Sequence, residues 1–213
     1  EKEIRFILDT AGKYLSKAPH REDVLSVFAG LRPLAAPSTE KKTKEISRSH
    51  KLILDKSGLI TIIGGKWTTY RKMAEDTVNL AQREVLLANR SCVTSDYKIH
   101  GAMSGGVLAD HLSIYGTDAE LIRQLVSSAP DLSERLHPDY PYTKGEIIWL
   151  IRNEMALTLE DLLARRLRIL FLDARAALAM ASKVAIILAQ ERGKDQAWAD
   201  EQIEQFKRVA ANY

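Results

Sequence analysis

Ile60-Thr61-Ile62-Ile63-Gly64-Gly65-Lys66-Trp67-Thr68-Thr69-Tyr70-Arg71 decides how the first half of this 213-residue chain is read. A β-branched run stops at two glycines, and from Thr68 onward Tyr70, Met73, Thr77, Ala81 and Val85 keep a helical period. A strand therefore turns through glycine directly into a long helix. The first amides of a helix have no intrahelical acceptor, glycines let a ligand approach them, and the helix dipole favours an acceptor oxygen there. Lys66 adds a full positive charge at the same place. The stretch is not a P-loop, because Ile60 stands where the first glycine is required and Trp67 where Ser or Thr must follow the lysine. The residues alone leave two readings open: a ligand-facing helix terminus, or a tight connection capped by Thr68 with Lys66 solvated.

Upstream, Ile46–Leu54 and Leu59–Ile63 flank Asp55-Lys56-Ser57-Gly58, which predicts a hairpin. Residues 35–45 read as a polar loop, and Val24–Ala29 as a β-rich run stopped by Gly30 and Pro33. Ile4, Leu8, Ala11 and Leu15 predict an opening amphipathic helix. Gly30-Leu31-Arg32-Pro33-Leu34 holds an arginine on rigid backbone, suited to forked recognition of phosphate or carboxylate. Arg48 could supply a second fork, with His50 on the same strand face. Surface arginines with local acidic partners explain the same residues.

After about residue 100 the grammar changes to helix starts of the capping-box type: Thr117 with Glu120, Thr143 with Glu146, and the shorter-armed Thr158 with Asp161. Pro130, Pro138 and Pro141 fall between the expected helices. Asp173 can cap an apolar helix through Gln190, Gly193 stops it, and a last helix from Asp195 buries Trp198, Ile203 and Phe206. The fold expected is α+β: residues 1–90 as the C-terminal part of a ligand-binding domain with antiparallel strands and a long helix, then an all-helical bundle over 100–213.

Composition narrows the function class. Cys92 is the single cysteine, so no internal disulfide forms and a reducing compartment is expected. A formal net charge of +3 does not call for nucleic acid, and no nucleic-acid motif occurs. The basic clusters Lys41-Lys42-Thr43-Lys44 and Arg165-Arg166-Leu167-Arg168 read as a solvated loop and a polar helix face. The five histidines show no metal-ligand spacing, so no metal site is expected. No apolar run is long enough to span a bilayer. The opening Glu1-Lys2-Glu3-Ile4-Arg5 is not a signal peptide and reads as the middle of a helix, hence the expectation of a truncated chain.

Three blocks, Gly30-Leu31-Arg32-Pro33-Leu34, Ile46-Ser47-Arg48-Ser49-His50 and Gly64-Gly65-Lys66-Trp67-Thr68-Thr69-Tyr70-Arg71-Lys72-Met73-Ala74-Glu75, closely resemble FAD-dependent glycerol-3-phosphate dehydrogenases in order and spacing. Glu154-Met155-Ala156, Leu159–Arg166 and Phe171–Ala174 resemble the helical C-terminal domain of that family. The resemblance implies oxidation of glycerol 3-phosphate to dihydroxyacetone phosphate, with hydride passing to FAD and electrons on to quinone or another acceptor. It implies that Arg32 and Arg48 contact the substrate phosphate. Gly65, Lys66, Trp67 and Thr68 would contact the flavin, with Lys66 catalytic beside the reacting carbon. No Gly-x-Gly-x-x-Gly turn occurs here, and the resemblance places it, with the general base, upstream. The chain by itself is therefore expected to be inactive and not to hold FAD. Other expectations are a cytoplasmic location, peripheral association with the inner face of the cytoplasmic membrane, and self-association. A related FAD-dependent amine oxidase and a non-enzymatic helical interaction module are the alternatives.

Overall fold

A computed structural model describes residues 1–31, 49–84, 88, 90–103 and 110–213. In chain order its elements are helix α1 (Lys2–Gly12), strands β1 (His50–Leu54) and β2 (Ile60–Gly64), and helices α2 (Tyr70–Glu84) and α3 (Ala119–Ser127). Strands β3 (Arg135–His137) and β4 (Tyr140–Thr143) follow, then helices α4 (Lys144–Asn153), α5 (Ile169–Leu172), α6 (Ala174–Glu191) and α7 (Gln196–Ala210). The architecture is α+β, with two small antiparallel sheets and a mostly helical second half. The chain forms two compact units, Gly30–His100 and Glu1–Ala29 with Gly101–Tyr213.

In the smaller unit β1 and β2 pair as the expected hairpin, His50 opposite Gly64 and Leu54 opposite Ile60. The turn closes through the Asp55 carboxylate, which accepts the Ser57 amide at 2.8 Å, and through Gly58 at φ +87°. Residues 46–48 and the loop 35–45 lie outside the described residues.

The larger unit carries the core. α6 is apolar on most sides, with Met180, Val184 and Leu188 fully buried, and it packs on α4 and α7. Phe206 of α7 is buried against it, and Trp198 and Ile203 pack partly buried around it. The helix starts follow the side chains expected to make them. Asp173 accepts the Ala176 amide at 2.9 Å, Asp195 the Trp198 amide at 2.9 Å, and Thr143 the Glu146 amide at 3.3 Å. Thr158 and Asp161 exchange bonds reciprocally, at 3.0 Å and 3.1 Å. What they open is a π-helical turn, Asp161–Arg166.

Asp161 also accepts the Leu157 amide and the Thr158 hydroxyl, and faces Arg165 at 2.9 Å. Burial works to raise its carboxyl, but these hydrogen bonds and the Arg165 charge hold it below the ordinary value. A depressed folded-state value gives stability that is present at neutral pH and lost as pH falls through that value. Asp161→Ala should therefore cost about 1 kcal/mol at pH 7, with the gap to the parent closing in acid. Denaturant unfolding at pH 7 and pH 3 checks this. An equal loss at both would show that the carboxylate charge contributes nothing.

Four expectations are corrected. Residues 100–213 are not wholly helical: β3 and β4 form a hairpin across Pro138-Asp139, burying Leu136 and Tyr142 in the helical core. Pro141 is tolerated because a two-stranded sheet has only edges. Val24–Ala29 is extended but unpaired as a strand. Its Val27 amide donates to the Tyr213 carbonyl at 2.7 Å, its Leu25 carbonyl accepts the Ala174 amide, and the Ser26 hydroxyl reaches the Leu170 carbonyl. Phe28 packs edge-on against Phe171, which meets Tyr213 in turn. That arm explains why residues 1–29 group with the helical unit, whereas the expected division put them in 1–90. Finally, α3 starts after Asp118, and the Thr117 amide donates to the Gly101 carbonyl instead of opening a capping box. Gly116 beside it sits at φ +56°, where an added Cβ would collide with the Gly101 carbonyl.

Candidate functional site

The smaller unit assembles its candidate site from the end of β2. Gly64 and Gly65 take φ of +74° and +84°, a region closed to most side chains. A Cβ on Gly65 would lie 2.6 Å from the Met73 sulfur and 3.3 Å from the His50 Cβ. The positive φ is what calls for glycine here, since the Met73 thioether is the flexible end of a side chain and could give way.

Lys66 is the extended residue that enters the helix. Its carbonyl accepts both the Thr69 amide and the Thr69 hydroxyl, each at 3.0 Å, so Trp67–Thr69 forms a 3-10 turn that leads into α2. Thr69, not Thr68, makes the local hydrogen bond. Trp67 and Tyr70 stand exposed at the helix entrance with ring centroids 6.1 Å apart.

The cations that follow are engaged. Arg71 donates to Glu75 at 2.7 Å, and Lys72 to Glu75 at 2.9 Å and Asp76 at 3.0 Å. Hydrogen bonds from Lys72, then Arg71, hold the Glu75 carboxyl below its usual range. Lys66 differs: its ammonium is exposed and meets no acceptor among the described residues. A free cation at a helix N-terminus, above two glycines, can hold an anion or an electron-rich oxygen.

The structure brings Gly65, Lys66, Trp67 and Thr68 together at this turn. Arg32 and Arg48 lie outside the described residues. Sequence reasoning gave no role to the contact between His50 and Asp76, whose Nε2 and Oδ2 are 3.0 Å apart. The alternation of β1, which turns His50 and Leu52 toward partial burial, was the available signal. Among the described residues no group of His, Cys, Asp and Glu could hold a metal, and no helix is long and apolar enough to cross a membrane.

The family described as the C-terminal domain of alpha-glycerophosphate oxidase matches residues 58–199. The chain belongs to that family. The match takes in the glycine turn, Lys66 and most of the helical unit. Named relatives agree: a mitochondrial glycerol-3-phosphate dehydrogenase of Schizosaccharomyces pombe is 36% identical over 94% of this chain and 38% of its own length. One of Arabidopsis thaliana is 35% identical over 97% of the chain and 38% of its own length. One of Bos taurus is 33% identical over 96% of the chain and 31% of its own length. The chain thus spans about a third of the length of the curated relatives it matches. All three are mitochondrial by name, which overturns the expectation of a cytoplasmic location and of a site on the cytoplasmic membrane.

Proposed function

We propose that this chain is the C-terminal portion of a mitochondrial, FAD-dependent glycerol-3-phosphate dehydrogenase that oxidises its substrate to dihydroxyacetone phosphate and passes electrons to quinone or another acceptor. The observation that carries the reading is the exposed Lys66 ammonium, without an acceptor among the described residues, at the start of the 3-10 turn that leads into the 15-residue α2 and just after a glycine turn of positive φ. The family membership of this stretch supplies the substrate class.

The residues present fit a flavin edge. Gly65 is buried against Met73 and His50, so a flavin edge would meet the exposed entrance beyond it, where the amides of Trp67 and Thr68 with the Lys66 ammonium would form a positive rim. When bound, FAD supplies the hydride acceptor. Lys66 would hold its charge where electron density accumulates in the transition state, so it lowers the barrier more than it tightens substrate binding. Arg32 and Arg48 would grip the substrate phosphate. The remaining two thirds of the protein would carry the rest of the cofactor contacts and the general base.

Lys66→Ala in the full-length protein should lower kcat about 10- to 100-fold, a little under the loss typical of a rigid oxyanion donor. KM for glycerol 3-phosphate should stay within about twofold, since uniform binding is not what is removed. Steady-state kinetics at matched flavin content checks this. An unchanged kcat, or turnover of amines with none of glycerol 3-phosphate, would overturn the reading.

A further inference from the structure

We propose that His50 and Asp76 form a clamp that positions the glycine turn, and through it Lys66, so that His50 is a positioning residue for the reaction. The inference rests on the reading that Lys66 acts at the flavin. Three elements meet at His50. It is the β1 residue paired with Gly64, the first residue of the turn. Its Cβ lies 3.3 Å from the place a Cβ on Gly65 would take, so it stands directly against the turn. Its Nε2–H donates to the Asp76 carboxylate of α2 at 3.0 Å.

Asp76 is itself tied down. Lys72 contacts its other oxygen at 3.0 Å, and the carboxyl is held below its usual range by the bond from Lys72, against some burial, and by the bond from His50. It therefore stays an acceptor. The pair is only partly exposed, and it lines one end of an open groove of about 380 Å³ with Leu52, Asn79 and Arg83. Met73, one α2 turn before Asp76 on the same face, packs with His50 into the space that a Cβ on Gly65 would take. The turn has no side chains of its own at Gly64 and Gly65 to fix it. Its position is set by what packs beneath it, and His50 with Met73 provides that floor. A shift of about 1 Å in a group near the reacting centre can cost on the order of 100-fold in rate.

Kinetics of the full-length flavin-loaded enzyme test the clamp through a double-mutant cycle with Lys66. His50→Ala should lower kcat about 10-fold or more, with KM for glycerol 3-phosphate little changed. In a Lys66→Ala background the same change should cost less than about twofold, because the group it positions is gone. His50→Gln, whose amide can still donate to Asp76, should recover most of the loss. Asp76→Leu should reproduce the effect of His50→Ala, and both should lower the reduction potential of the bound flavin in the direction Lys66→Ala does, because a displaced cation stabilises reduced flavin less. If His50→Ala costs the same with or without Lys66, or if Gln fails to rescue at equal flavin content and thermal stability, the clamp is refuted while the role of Lys66 stands. If Lys66→Ala alone leaves kcat unchanged, it is the underlying reading that fails.

Discussion

Arg32→Ala in the full-length enzyme should lower kcat/KM for glycerol 3-phosphate by about 30- to several-thousand-fold, and Arg48→Ala should do the same. The range corresponds to the roughly 2–5 kcal/mol lost when one partner of a desolvated charge pair is removed. The motivation lies in the sequence. Arg32 stands between Gly30-Leu31 and Pro33, on backbone that proline stiffens, and Arg48 precedes the strand that carries His50. A planar guanidinium offers two parallel donors to a phosphate, which a lysine cannot match, so Arg→Lys should restore activity only in part. Steady-state kinetics on both alanine and both lysine variants, at matched flavin content, makes the test. If Arg32→Ala empties the protein of FAD and leaves KM for glycerol 3-phosphate unchanged, the arginine serves the cofactor and the assignment is wrong.

Most local signals in this sequence carried, the Thr117–Glu120 box excepted, and long-range ones did not. The hairpin, the glycine turn, α2 and the caps at Asp173, Thr158 and Asp195 each depend on residues a few positions apart. The arm at Val24–Ala29 failed as a strand because its partners, Tyr213, Leu170 and Ala174, come from the far end of the chain. Period alone cannot tell an extended segment docked on helices from one paired in a sheet. The β3–β4 hairpin was missed because Pro138 and Pro141 were read only as helix breaks, although Pro138-Asp139 is also turn chemistry. His50 was legible only as a residue on the same strand face as Arg48, Asp76 lies on another element, and no spacing rule links them.

Glu146 shows the same limit within one motif, and removing it should have the largest effect on stability. The Thr143–Glu146 pattern correctly gives the cap, but the Glu146 side chain does not turn back to complete the box. It is fully buried and accepts the Tyr115 hydroxyl at 2.7 Å, with the His111 Nε2 at 3.1 Å. Burial, and then the nearby Glu146 charge, pushes the Tyr115 phenol far above its usual value, so it remains a donor. Glu146→Ala deletes a packed side chain and leaves that buried hydroxyl without an acceptor. It should cost about 3–5 kcal/mol of unfolding free energy in this 213-residue chain. Glu146→Gln, which can still accept from Tyr115, should cost markedly less. Replacing both partners, Glu146→Met with Tyr115→Phe, should be less damaging than Glu146→Met alone, because no buried hydroxyl is orphaned and the part-exposed His111 can turn to water. The raised phenol also predicts a pH dependence. Its stabilising contribution is fully present below the unfolded value near 10.0 and declines as pH rises beyond it, so Tyr115→Phe should flatten the alkaline loss seen in the parent. Urea unfolding of the parent and the five variants between pH 7 and 11 checks both points. If Glu146→Met is no worse alone than with Tyr115→Phe, the hydroxyl finds another partner and the carboxylate is not what holds this corner of the helical unit.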